Sequence, residues 1–199
     1  MRKPRQEMIA ETRAKLIAAA RQAFGTVGYA DASMDDFTAA VGLTRGALYH
    51  HFGDKKGLLQ AVIDEIDAEM TVRLDAISAR APNRWQGVVD EWIAYIEMAL
   101  EPDIQRIMFR DGPAVLGDIS QRPTAKGCIA ALTESLASLK AEGVLVDADP
   151  EALAHLINGA SSHAATWIAS STDPGETSRK AVAGFRQLLE GLQRRPLAG

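Results

Sequence analysis

Apolar residues recur at intervals of three or four along almost the whole chain. No window alternates apolar and polar residues for long enough to indicate a β-strand. This spacing places apolar side chains on one face of successive α-helices. The hydrophobic content of 47% is that of an ordinary globular protein, so disordered and collagen-like chains are excluded. The sequence therefore predicts an all-α fold.

The first fifty residues predict three helices separated by glycine-containing segments. The first helix covers residues 7–25, and the second runs from Ser33, whose hydroxyl can cap it, to Gly42. Thr44 can cap the third helix, which continues to residue 51. The positions predicted to be buried are Ile9, Leu16, Ala20 and Phe24 in the first helix, Met34, Phe37 and Val41 in the second, and Leu48 in the third. Two short helices joined by a tight turn predict a helix-turn-helix, whose second helix enters the DNA major groove.

The polar side of the third helix has the chemistry that such a reading helix needs. It carries Thr44, Arg45, Tyr49 and His50. The guanidinium of Arg45 can bind guanine, and Gly46 lets the helix approach DNA closely. Lys55 and Lys56 lie in the first turn of the next helix, where their charge opposes the helix dipole but suits a nearby phosphate. The same residues are also compatible with an ordinary solvated face on a small helical domain.

The charge distribution separates the amino-terminal region from the rest of the chain. Residues 1–60 hold nine Lys or Arg and six Asp or Glu, whereas residues 61–199 hold thirteen and twenty. This asymmetry favours a polyanionic partner for the first region, although chance clustering would give the same numbers.

A long helix is predicted to connect two domains. Asp54 can cap it, and it continues to about Arg80, before Pro82, over about 40 Å. We therefore predict a DNA-binding domain over residues 1–53 and a helical domain over residues 54–199. Later helices are predicted at about 84–101, 102–110, 122–142, 149–171 and 175–194, with a short extended piece at 144–146 that need not pair.

Residues 10–59 resemble the DNA-binding domain of the TetR family of transcriptional regulators. The most specific match is the run GALYHHF at residues 46–52, followed by Lys55. Further matching positions are Ala10–Arg13, Phe24, Gly28-Tyr29, Ser33-Met34, Gly42-Leu43-Thr44 and Leu58. The sequence departs from the family pattern at Ala32, Phe37-Thr38 and Val41, which are packing or local changes.

The resemblance implies a ligand-responsive repressor that binds a palindromic operator as a homodimer. Arg45 and Gly46 would then face bases, whereas Thr44, Tyr49 and Lys55 would face phosphates. His50 could contact either, and Ser33 completes the predicted DNA-binding set.

The remaining two-thirds of the chain is predicted to bind a small-molecule effector and a second copy of the protein. The last two predicted helices carry apolar stripes and the small residues 159–161, which allow close helix approach, so we expect dimerisation through them. The stripes could also pack inward within one chain. Seven large or adaptable side chains together predict an apolar effector pocket, although each of them alone is also typical of a hydrophobic core. They are Trp85, Trp92, Tyr95, Met108, Phe109, His163 and Trp167.

No motif indicates an enzyme, a cofactor or a metal site. His155 and His163 are two helical turns apart, too far to bind one metal, and no glycine-rich phosphate loop or nucleophile elbow is found. Cys128 has no flanking cluster of basic residues, which predicts a buried, inert thiol. The alternative to a regulator is a helical ligand-binding or interaction protein that has lost DNA binding.

The cellular setting is predicted to be the cytoplasm. A single cysteine cannot form an intramolecular disulfide. No secretory signal and no apolar stretch of membrane-spanning length is found, so no membrane association is expected.

Overall fold

The computed structural model describes residues 4–40, 42, 44–117 and 123–194. Within these ranges the chain forms helices and no extended sheet, so the all-α prediction is confirmed. The α-helices are α1 (Arg5–Val27), α2 (Met34–Ala40), α3 (Arg45–Phe52), α4 (Lys55–Arg80), α5 (Arg84–Glu97), α6 (Pro102–Arg106), α7 (Gly112–Leu116), α8 (Pro123–Ala141), α9 (Pro150–Ser170) and α10 (Pro174–Glu190). A 3₁₀ turn at Met98–Leu100 follows α5, and a π-helical turn at Ile107–Asp111 joins α6 to α7.

Contacts divide the chain into two compact units. Unit 1 contains the described residues up to Ala68 and the segment Pro102–Gly117, whereas unit 2 contains Glu69–Glu101 and the described residues from 123 onward. The helix α4 therefore contributes to both units. The predicted domain boundary between residues 53 and 54 stays a prediction.

The core of unit 1 forms where α1 meets α2. Phe24 is fully buried, and its ring centroid lies 5.3 Å from that of Phe37 in an edge-to-face arrangement. Leu16, Ala20 and Leu48 are buried as predicted. The expectation for Ile9 was wrong, because residues 4–15 are exposed or half-buried and Ile9 is 46% exposed. The predicted burial of Val41 lies outside the described residues.

The predicted helix caps are confirmed. The Ser33 hydroxyl accepts a hydrogen bond from the backbone N–H of Asp35, and the Thr44 hydroxyl accepts one from that of Ala47. The Asp54 carboxylate accepts from the N–H of Gly57 at 2.7 Å. Any side chain at residue 57 would collide with the backbone carbonyl oxygen of Phe52, so the junction between α3 and α4 requires this glycine.

Three sets of polar contacts attach the segment Pro102–Gly117 to α1 and to the residues that directly follow α1. The guanidinium of Arg21 donates to Asp103 from Nε (2.9 Å) and Nη2 (2.8 Å). One turn further on, Arg106 donates to carbonyl oxygens at the end of α1. The Asp111 carboxylate accepts from the backbone N–H of Tyr29 at 2.8 Å. The predicted helix over residues 102–110 is thus interrupted by the π-helical turn, and the whole segment belongs to unit 1.

Unit 2 is a bundle in which α9 packs against α5, α8 and α10. Its core holds Ile96 on α5, Leu136 on α8 and Ala165 and Ile168 on α9, all of them fully buried. The predicted extended piece does pair with another segment. The N–H of Val146 donates to the carbonyl oxygen of Leu192, and the N–H of Arg194 donates to that of Val144, both at 2.9 Å.

Candidate nucleic-acid interface

The helix α3 buries one side and exposes the side predicted to read DNA. Leu48 is fully buried, which fixes the orientation of the helix in unit 1. Tyr49 is 51% exposed although it is a large aromatic residue. The other exposed positions are Thr44, Arg45, Gly46 and His50. The structure therefore gathers five of the predicted DNA-binding residues on one solvent-facing surface.

Arg45 is held by a carboxylate that the sequence analysis did not single out. Its Nη2 donates to Oδ2 of Asp35 at 2.6 Å, and its Nε contacts Oδ1 of the same side chain. Asp35 lies in the first turn of α2, ten residues earlier in the chain. In the sequence, this ion pair is indicated only by the opposite charges on the two helices of the helix-turn-helix, and many other pairs of residues would match that pattern.

Among the described residues, nothing near Gly46 requires a glycine at this position. A Cβ atom there would have Thr44 Oγ1, 3.8 Å away, as its nearest neighbour, so the helix has room for a side chain. Glycine inside a helix is less favourable than alanine. Close approach of DNA at Gly46 stays a prediction, and the open space at this position is compatible with it.

Lys55 and Ser33 make contacts within the protein. The Lys55 ammonium lies 4.6 Å from the ring centroid of Tyr29 and donates to the carbonyl oxygen of Ala30 at 3.1 Å. Burial raises the pKa of the Tyr29 phenol, and the negative charge of Asp54 raises it further. These contacts give Lys55 a reason to occupy the first turn of α4 besides a phosphate. Its contact with DNA, like that of Ser33, stays a prediction.

Two family models match the chain in separate regions. The model described as bacterial regulatory proteins of the tetR family matches residues 16–62, which include α2 and α3. The model described as the tetracyclin repressor-like C-terminal domain matches residues 85–192, more than half of the chain. The chain belongs to the TetR family. It is a TetR-family transcriptional regulator, and the resemblance found in residues 10–59 is confirmed.

Individual relatives extend the similarity of this TetR-family protein over as much as 98% of its length. A crystal structure of a TetR-family transcriptional regulator from Pectobacterium atrosepticum is 50% identical, with a TM-score of 0.88, covering 98% of this chain and 100% of that one. The Transposon Tn10 TetC protein of Escherichia coli is 25% identical over 193 residues, 94% of this chain and 95% of that protein. The HTH-type transcriptional regulator TtgR of Pseudomonas putida is 43% identical over 61 residues, covering 31% of this chain and 29% of its own.

The predicted effector-binding residues are divided between the two units. Met108 and Phe109 are buried in unit 1, within the π-helical turn. The other five belong to unit 2: Trp85 and Trp92 are buried, Tyr95 is half-buried, and His163 and Trp167 are exposed. The rings of Trp92 and Tyr95 are neighbours, with centroids 5.9 Å apart. Trp85 lines a cavity of about 410 Å³ in unit 2, and the other six do not line it.

Cys128 is exposed on α8, so the expectation of a buried thiol was wrong. The side of α8 that enters the core carries Leu132, Leu136 and Leu139, and Cys128 lies on the same face one turn before Leu132 but is exposed. Over the described parts of the chain, no helix is long and apolar enough to cross a membrane. The same residues contain no group of three His, Cys, Asp or Glu side chains placed to hold a metal ion.

Proposed function

We propose that this TetR-family protein is a ligand-responsive repressor that leaves a palindromic operator when a small effector binds. The observation that carries the DNA-binding part is the orientation of α3. Its apolar side is fixed by the buried Leu48, while Arg45, Tyr49 and His50 face solvent without covering from the described residues. A helix held in this way can enter a major groove without rearrangement of its own domain.

The operator contacts can be tested with duplexes that the wild-type protein enriches from a random DNA pool. Arg45→Ala should cost about 1–3 kcal/mol on the enriched duplex and relax its sequence preference. Lys55→Ala should weaken enriched and random duplexes alike and reduce the salt slope by about one unit. Lys126→Ala, an exposed change on α8 of unit 2, is the control. Equal losses on enriched and random DNA for Arg45→Ala would contradict base reading.

We propose that the protein dimerises through α9 and α10. These helices pack against each other and still expose apolar side chains: Leu156 is 69% exposed, Trp167 47% and Leu188 65%. Gly159 and His163 lie at helical spacing between Leu156 and Trp167 and are also exposed. A two-fold assembly through this patch would pair two reading helices, and successive major grooves require such helices about 34 Å apart.

We propose that the effector binds in unit 2, in the cavity that Trp85 lines. Its volume of about 410 Å³ lies in the range of small-molecule sites. Val89, Leu139 and Val144 give it an apolar wall, and the charged residues around it are Arg84, Glu142, Arg186 and Glu190. This lining suits a small molecule that carries both apolar and polar or charged groups. The remaining predicted residues, Trp92, Tyr95, Met108, Phe109, His163 and Trp167, do not contribute to this cavity.

Two segments connect the effector unit to the DNA-binding unit covalently. The helix α4 begins in unit 1 and ends in unit 2, and the segment Pro102–Gly117 of unit 1 directly follows the unit 2 residue Glu101. A ligand that prefers one arrangement of these segments would change operator affinity by about 1–3 kcal/mol, or roughly 5- to 150-fold.

Compounds that change tryptophan fluorescence can be titrated with and without the enriched duplex. Reciprocity requires the duplex to change compound affinity by the same factor, and an unchanged affinity would contradict the coupling.

A further inference from the structure

We infer that Asp35 is a positioning residue for base recognition, because it orients the guanidinium of Arg45 toward one guanine in each operator half-site. This inference rests on the proposed DNA-binding function. It assigns a role to a carboxylate on α2, outside the reading helix itself. The structural basis is the two-point contact between the Asp35 carboxylate and Arg45 Nε and Nη2.

The contact uses one edge of the guanidinium and leaves another edge free for DNA. A guanidinium presents five N–H donors in a rigid planar fork. Asp35 engages Nε and one N–H of Nη2 on the same edge. The second N–H of Nη2 and the parallel N–H of Nη1 form the end of the fork. Two parallel donors at this end match O6 and N7 of guanine.

Stability of the folded protein does not account for the pair. The side chains of Arg45 and Asp35 are 60% and 61% exposed. Ion pairs at such positions contribute little to folding, because solvent screens the charges and two flexible side chains must be immobilised. A fixed guanidinium has more value in recognition, where an unrestrained arginine would lose its rotamer freedom on binding.

Because Asp35 is negatively charged, a role in orienting Arg45 can be distinguished by experiment from a purely structural role. A carboxylate on a DNA-facing surface repels phosphates, so its removal should leave affinity for random DNA unchanged or raise it. Loss of orientation should at the same time lower the preference for guanine. Damage to the fold of α2 would instead lower both affinities.

The test compares sequence preferences of variants on duplexes that the wild-type protein enriches from a random pool. Asp35→Ala should reduce the preference for guanine at the position read by Arg45 by about 5- to 10-fold, without loss of random-DNA affinity. Asp36→Ala removes the same charge from the same helical turn and should leave this preference unchanged. The double variant Asp35→Ala/Arg45→Ala should be no less selective at that position than Arg45→Ala, because Asp35 acts through Arg45.

Two results would overturn the inference while leaving the proposed DNA-binding function in place. If Asp35→Ala keeps the wild-type preference for guanine, Arg45 does not depend on Asp35 for its orientation. Additive losses in the double variant would show that Asp35 acts independently of Arg45. A wild-type protein that enriches no sequence would remove the proposed function itself, and the role of Asp35 with it. If the wild-type protein enriches a sequence and Asp35→Ala keeps the same preference for guanine, only the role of Asp35 is overturned.

Discussion

The guanidinium of Arg106 closes the carboxyl end of α1, where its Nη1 donates to the carbonyl oxygen of Thr26 at 2.9 Å. Its Nη2 donates to the carbonyl oxygen of Val27 at 2.7 Å. The last carbonyl groups of a helix have no partner within the helix, and a cation is favourable at this end of the dipole. Gly28 follows at φ +88°, and a Cβ there would collide with the same guanidinium. The end of α1 thus depends on a side chain almost eighty residues later in the chain.

Arg106→Ala should lower the free energy of unfolding by about 1 kcal/mol, since two charge-assisted hydrogen bonds at a partly exposed helix end are lost. Urea denaturation followed by circular dichroism measures this change. Arg110→Ala removes an exposed arginine from the π-helical turn that follows Arg106 and serves as the control. Equal stabilities of the two variants would mean that water replaces Arg106 without cost.

Gly46→Ala should change stability and DNA affinity in opposite directions. The position is helical and open, so alanine should stabilise the protein by about 0.5–1 kcal/mol. The added methyl group would stand between α3 and the groove and weaken binding to the enriched duplex. Gly127→Ala on α8, which is equally open, should bring a similar gain in stability with unchanged DNA binding. Wild-type DNA affinity in Gly46→Ala would show that close approach at this position is not needed.

Glu91→Gln should stabilise the protein at neutral pH. Burial raises the pKa of Glu91, the charge of Asp75 raises it further, and the hydrogen bond with Ser78 only partly opposes them. With a raised pKa the folded state binds the proton more tightly than the unfolded state. The contribution of Glu91 to stability is therefore favourable at low pH and is lost as pH rises through the folded pKa.

The measurement is the melting temperature of Glu91→Gln and wild type from pH 4 to pH 8, with the exposed Glu134→Gln on α8 as control. The difference between Glu91→Gln and wild type should grow with pH above the ordinary glutamate range. A difference that is constant over the whole series would rule out titration of Glu91 as its source.

Gly159→Trp should prevent dimerisation without unfolding the protomer. Beyond the neighbouring backbone of α9, no described residue comes within 4 Å of a Cβ at residue 159, so the bulky side chain would extend from α9 into the proposed interface. Light scattering should give a dimer for wild type and a monomer for this variant. Gly127→Trp, an equally open position on α8, should remain dimeric. A dimeric Gly159→Trp protein would place the interface elsewhere.

Local features of this protein could be read from the sequence because they depend on near neighbours. Thr44 and Asp54 cap their helices through hydrogen bonds to N–H groups three residues ahead, a spacing visible in the chain itself. The buried stripe of α1 at Leu16, Ala20 and Phe24 follows in the same way from helical periodicity. The motif at residues 46–52 was sufficient to indicate the family.

Whether a residue on an apolar face is buried was decided by tertiary structure. Ile9 lies on the expected face of α1 but is 46% exposed, and Cys128 is exposed on α8, because burial requires a neighbouring element as well as an apolar side chain. Likewise, Met108 and Phe109 were grouped with Trp85 by residue type, yet contacts place them in unit 1 and Trp85 in unit 2.

The sequence by itself determined the helical class, the helix-turn-helix and the identity of the exposed residues on its reading helix, since periodicity and capping are properties of short segments. Only the tertiary structure decided that Asp35 holds Arg45 and that Arg106 closes the end of α1. Both contacts join residues whose separation along the chain carries no periodic signal. An ion pair or a carbonyl contact forms wherever packing brings a donor and an acceptor within about 3 Å, and that distance is fixed by the fold.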